Sequence, residues 1–171
     1  MNIKINRQVF NTLEDTQLVR ACFEPLVPLI RGKSQRIKEE VYGQLTPEQK
    51  KLFIFNAYYN HASNSLAEFY WWSAYYLSQP KIWSELIQVL HYFNADEMRQ
   101  ILLEMEQIIF NAKNLEVSDV SYNDLEKNPD LSSVNPLFDK FSEVSPATLN
   151  LIGKVIRNNQ TAYILFDDKL E

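Results

Sequence analysis

Glycine is scarce in this chain. There are three glycines in 171 residues, Gly32, Gly43 and Gly153, each isolated. Glycine supplies the positive φ of tight hairpins and the close backbone approach of phosphate-cradling loops, so this sequence has little with which to build either. No GxGxxG, GxxxxGK[ST] or GxSxG run occurs, which removes support for dinucleotide sites, P-loops and nucleophile elbows. Histidine is scarcer still. His61 and His91 lie far apart and neither belongs to an HExxH or a two-histidine pair, so no metal site, cofactor or catalytic residue is expected. Glu68 and Glu104 are the carboxylates to weigh as general acids, but spacing gives neither an aligned partner.

Cys22 is the single cysteine and can form no disulfide within the chain, which fits a reducing, cytoplasmic setting. In LVRACFEPL it stands at helical spacing with Leu18 and Leu26 and reads as a buried structural thiol rather than a nucleophile. Long apolar runs are also missing. The start, MNIKINRQVF, does not read as a signal peptide, and no window approaches the roughly 18 apolar residues of a membrane helix. A cytoplasmic protein without membrane contact is expected.

Helix signals fill what remains. Apolar residues make up 46% of the chain and aromatics 13%, and the length suits one helical domain over residues 1–171. Thr12 reads as the start of a first helix over Leu13–Phe23. Pro28 suits the first turn of a second helix running to about Gln44. Thr46-Pro47-Glu48-Gln49 combines an N-cap hydroxyl, proline at N1 and a T-x-x-Q capping box, and predicts a helix from Pro47 to about Asn60. Ser78-Gln79-Pro80 opens a helix with Ile82, Trp83, Leu86, Ile87 and Leu90 on one face. Asn94 is read as the N-cap of the next, lined by Met98, Ile101, Leu102, Met105, Ile108 and Ile109. Residues 115–134 look irregular, with one helical turn near Asp124. Pro136 starts a short helix to Glu143, and Ser145-Pro146 caps another to about Asn158. Thr161–Phe166 could be extended, with only Met1–Ile5 as a similar partner. Lys169-Leu170-Glu171 can be read as a cloning remnant and carries no weight. The expected fold is all-α, a single-domain multi-helix bundle around an aromatic-rich central helix.

That helix lies in YYNHASNSLAEFYWWSAYYL, residues 58–77, which holds eight aromatics and no Lys or Arg. A helix over Leu66–Leu77 places Leu66, Phe69, Tyr70, Ser73, Tyr76 and Leu77 on one side and Glu68, Trp71, Trp72 and Tyr75 on the other. Both sides are apolar enough to be surrounded by other helices. Glu68 then needs a partner. One reading makes Ser65-x-x-Glu68 a capping box at the helix start. The other runs the preceding helix straight on, so that His61, Asn64 and Glu68 form a polar stripe leading to Trp71, Trp72 and Tyr75, a pocket for a small ligand or an enzymatic site. A break near His61–Asn64 is favoured, because Asn and Ser compete with the helix backbone.

Charge is uneven. From Arg31 to Lys51 six bases stand against three acids, and from Glu85 to Glu126 nine acids stand against two bases. Solvated helix faces account for such runs, and an acidic surface attracting a basic partner is the sharper reading, with Glu97, Glu104 and Glu106 as its carriers. Direct nucleic-acid binding is not expected, since aromatic stacking on bases also needs a basic groove.

The run LTPEQKKLFIFNAYYNHASNSLAEFYWWSAYYL with the acid-rich helix after it resembles the bacterial DNA-mimic-protein-like family of small all-α proteins. The family motif is Asn-Gly-Gly-Phe-x-Gln-aromatic-aromatic. Leu66 takes its Phe position, Glu68 its Gln position, and Phe69 and Tyr70 its aromatic pair, while Asn64 and Ser65 stand where the glycines would be. The similarity spans about residues 41–109. It implies a helical, often dimeric protein presenting an acidic surface to a DNA-binding protein. The leading expectation is therefore a non-enzymatic protein-interaction module, against the ligand-binding or enzymatic alternative.

Overall fold

The computed structural model describes residues 1–111 and 131–167. Its elements are strand β1 (Lys4–Ile5), helices α1 (Arg7–Thr12) and α2 (Asp15–Phe23), a 3-10 turn at Glu24–Leu26, α3 (Val27–Ile30), α4 (Gln35–Gly43), α5 (Pro47–Ala62), α6 (Leu66–Leu77), α7 (Pro80–Tyr92), α8 (Asp96–Asn111), α9 (Asn135–Asn158), α10 (Gln160–Tyr163) and strand β2 (Leu165–Phe166). The all-α expectation holds. The turn expected near Asp124 and the residues Lys169–Glu171 lie outside the described residues. The chain divides into two compact units, Met1–Phe53 with Leu149–Glu171, and Ile54–Thr148. Both boundaries fall inside helices, α5 and α9.

In the first unit the chain ends meet. β1 and β2 pair in parallel, Lys4 opposite Leu165 and Ile5 opposite Phe166. Lys4 Nζ reaches Asp167 at 2.9 Å, and Phe166 packs edge-on against Phe10 at 5.3 Å. The extended tail thus has the N-terminal partner the sequence suggested, although residues 160–163 form the short helix α10 instead. The Thr46 cap forms as expected: Gln49 N–H donates to Thr46 Oγ1 at 3.1 Å, and Thr46 N–H donates to Gln49 Oε1 at 3.0 Å. Gln49 is buried, and its amide also donates to the carbonyls of Met1 and Tyr163. One capping side chain therefore ties both ends of the chain to the start of α5.

Three boundaries ahead of α9 differ from the sequence reading. Thr12 ends α1 rather than starting a helix, its hydroxyl donating to the Val9 carbonyl at 2.8 Å. Asn6 caps α1, and Glu14 makes the backbone half of a box with Gln17 at 2.8 Å. The helix expected from Pro28 to Gln44 is split, because Gly32 takes φ +68 and turns the chain between α3 and α4. Asn94 adopts φ 56 and closes α7, with Ala95 N–H donating to the Leu90 carbonyl at 2.9 Å. That is the Schellman arrangement, in which asparagine tolerates the left-handed conformation. The same residue type serves as an N-cap, which is why spacing assigned it to α8.

The second unit is built around α6. Phe69 and Ala74 are fully buried, and Phe69 meets Phe141 of α9 at 4.7 Å and Phe138 at 5.7 Å. Tyr58 of α5 lies edge-on to Tyr76 at 5.4 Å, and its hydroxyl pairs with Ser73 Oγ at 2.8 Å. That pairing satisfies a phenol whose ionisation burial strongly opposes. α7 and α8 pack on the same helix. α9 runs unbroken through Pro146, where two helices were expected. Ser145 does not cap; its hydroxyl donates to the Phe141 carbonyl at 2.7 Å. Leu137, Phe141, Thr148, Ile152 and Ile156 are all buried at helical spacing, and this burial outweighs the roughly 3 kcal/mol that an interior proline costs.

Candidate functional site

α5 ends at Ala62 and α6 begins at Leu66, so the chain breaks where His61–Asn64 suggested. Ser65 caps α6: its Oγ accepts from the Glu68 N–H at 3.1 Å. The return half of the capping box is absent among the described contacts. The Glu68 carboxylate turns instead to Asn64, accepting from Nδ2 at 3.1 Å on Oε2. His61 Nδ1 lies 3.8 Å from the same oxygen. Ser65 thus caps the helix without the reciprocal Glu68 bond, and the preceding helix does not run straight on, yet the carboxylate faces His61 and Asn64 across the break.

The imidazole of His61 stacks on the Trp72 indole, with ring centroids 4.0 Å apart and planes 17° apart. Trp72 stands edge-on to Tyr75 at 5.7 Å. His61, Asn64, Glu68, Trp72 and Tyr75 thus converge at the surface end of α5 and along one edge of α6. Trp71 does not join them. It is buried and packs edge-on to Tyr70 at 5.1 Å. The side chain of Glu68 keeps 39% of its exposure and that of His61 47%, so the group forms a ledge of half-exposed side chains. A carboxylate in this setting retains water and avoids the full cost of burial.

Burial lowers the pKa of His61 from 6.5, and the neighbouring Glu68 charge and its hydrogen bond offset this only in part. A histidine with a depressed folded pKa binds fewer protons folded than unfolded. Its contribution to stability is therefore complete above about pH 6.5 and declines as pH falls through the folded value. A His61→Phe variant keeps the stack on Trp72 and loses this dependence. Its melting temperature is expected to change less than the wild type's between about pH 7.5 and about pH 5; parallel curves would remove His61 from the account.

The three acids of α8 divide. At 100° per residue Glu97 and Glu104 share one side of the helix, and Glu106 lies almost opposite. The buried stripe of Met98, Ile101, Leu102, Met105 and Ile109 runs between them. Glu97 is exposed. Glu104 stands 3.8 Å from Lys140 Nζ of α9. Glu106 accepts from the Trp83 indole N–H at 3.1 Å, so it satisfies a buried ring of α7. No sequence spacing signalled the Trp83–Glu106 or Lys140–Glu104 contacts, both of which join separate helices.

Among the described residues no group of three or more His, Cys, Asp or Glu side chains could hold a metal ion. Burial pushes the Cys22 thiol up to about 12, which leaves almost no thiolate at neutral pH. No helix among the described residues is long and apolar enough to cross a membrane. Fold and ledge together define an all-α protein with a polar-aromatic surface cluster and charged helix faces. No protein-family model, no curated protein and no solved structure gives a significant match to the chain.

Proposed function

We propose that this is a non-enzymatic, cytoplasmic, bacterial protein-interaction module that docks a basic, DNA-binding protein, in keeping with the likeness to the DNA-mimic-protein-like family. The observation that carries the reading is charge segregation. Among described residues of the Ile54–Thr148 unit, eight acidic side chains stand against three basic ones. In the other unit eleven bases stand against seven acids. Like charges gathered on one unit raise the local potential, steer an oppositely charged partner and disfavour contact with nucleic acid.

Native purification from the source cell, with mass spectrometry of what co-elutes, identifies the partner. Glu97→Lys with Glu104→Lys then tests the acidic side of α8. Capture of a basic DNA-binding partner is expected to fall about tenfold or more and to weaken as salt rises. Undiminished capture by the double variant would falsify the reading. Glu106 belongs in a separate variant, Glu106→Gln, which keeps an acceptor for Trp83. The family likeness also implies a homodimer, which light scattering on the purified protein measures.

A further inference from the structure

We propose that Glu68, oriented by Asn64 and flanked by the His61–Trp72 stack, is the anchor for an arginine side chain of the basic partner. The proposal rests on reading the protein as a docking module for a basic protein, and it names the contact that reading lacks.

The ledge is an acceptor site beside a flat wall. Among the described contacts, the Glu68 carboxylate is approached by the Asn64 amide and the His61 imidazole and by no Lys or Arg. Glu104, by contrast, already has Lys140. Burial keeps His61 from supplying the missing cation at neutral pH. The Asn64 amide donates its Nδ2 hydrogen to Glu68, and its oxygen is an acceptor in its own right. Next to these acceptors the imidazole and indole stack face to face in nearly parallel planes, 4.0 Å apart, and the imidazole of the pair is half-exposed.

A guanidinium matches each feature. It carries five donors and no acceptor, pairs with a carboxylate through two parallel N–H bonds, and stacks its plane on aromatic faces. An ammonium offers the charge without the plane, and a neutral side chain offers neither. Arginine should therefore be preferred to lysine. Citrulline, the uncharged isostere of arginine, should be rejected. Half-exposure of Glu68 suits an anchor that meets its partner at the surface, where a desolvated, two-bond contact gains strength as water is excluded.

The experiment uses the full chain and three octapeptides of identical sequence carrying arginine, lysine or citrulline, followed by calorimetry at low salt. The arginine peptide is expected to bind about tenfold or more tightly than the citrulline peptide, with lysine between them. Glu68→Gln should remove most of that preference. Glutamine keeps an oxygen for Asn64 and the backbone cap at Ser65, so an unchanged melting temperature shows that the fold is intact. Equal binding of the arginine and citrulline peptides, or an unaltered preference in Glu68→Gln, overturns the anchor. With the natural partner the two ideas separate. If Glu97→Lys/Glu104→Lys abolishes capture while Glu68→Gln leaves it intact, the anchor is wrong and the docking reading stands. If neither variant alters capture, the docking reading falls and the anchor falls with it.

Discussion

Replacing Phe69 with alanine is expected to cost about 3–5 kcal/mol of folding stability, the range for truncating a fully buried ring. Phe69 shows no exposed surface. It packs on Phe138 and Phe141 of α9, and its carbonyl accepts the Ser73 hydroxyl at 2.6 Å, which in turn pairs with Tyr58. Truncation would leave a cavity bounded by Phe138 and Phe141, which stack on each other with planes 13° apart and are held by the packing around them, so that they cannot collapse into it. Urea unfolding followed by tryptophan fluorescence measures the loss. Phe110→Ala is the control, because Phe110 is 58% exposed and its truncation should change stability by about 0.5 kcal/mol or less. A Phe69→Ala loss below about 1 kcal/mol would mean that α6 is not the centre of its unit.

The centrality of α6 was legible because large apolar residues surround its whole circumference in the sequence. A helix of that kind has no face to give to water. Capping at Thr46 and the proline start at Pro80 are legible for local reasons: at Thr46 the side chains that satisfy free N–H groups are neighbours in sequence, and at Pro80 a proline in the first turn has no N–H to satisfy. α9 was misread because the same local rule was applied at Ser145-Pro146. There a continuous buried stripe decides the outcome, and the burial of Ile152 and Ile156 cannot be seen from the dipeptide. Asn94 was misread because one side chain suits both ends of a helix, and the backbone angle that distinguishes them is set by how α7 and α8 meet.

The ledge was half legible. His61, Asn64 and Glu68 were singled out because polar residues are conspicuous before an aromatic run. Trp72 and Tyr75 follow from the helical period. Trp71 is 60° away from Glu68 around the helix, near enough to share a side in projection, yet it is buried where the helix packs inward. Stacking of His61 on Trp72 joins two helices across a break, and no periodicity reports on a contact of that kind. For the α8 acids the period was available and separates Glu106 from Glu97 and Glu104. Its bond to Trp83 needed the neighbouring helix.

Gly153 shows where sequence reading has least purchase, and its substitution should be the second most damaging. Gly153 lies in α9 with nothing in its surroundings to mark it, and a helix interior ordinarily gains stability when glycine becomes alanine. Here a methyl group at that position would lie 2.6 Å from the Asp15 Cα and closer still to the Asp15 carbonyl. The obstacle is backbone at the first turn of α2, which cannot rotate aside as a side chain would. It is also pinned: Arg157, one turn further along α9, donates to Asp15 Oδ1 at 2.8 Å and to the Leu13 carbonyl at 2.7 Å. Gly153→Ala must therefore push α2 from α9 and stretch those bonds. A loss of about 3 kcal/mol is expected despite the better helix propensity, and with it a drop in melting temperature of roughly 6–12 °C for a chain of this size. Gly43→Ala supplies the contrast, since a methyl there meets nothing within 4 Å. It should leave the melting temperature unchanged or raise it slightly. Equal effects at the two glycines would show that α2 and α9 do not approach at Gly153.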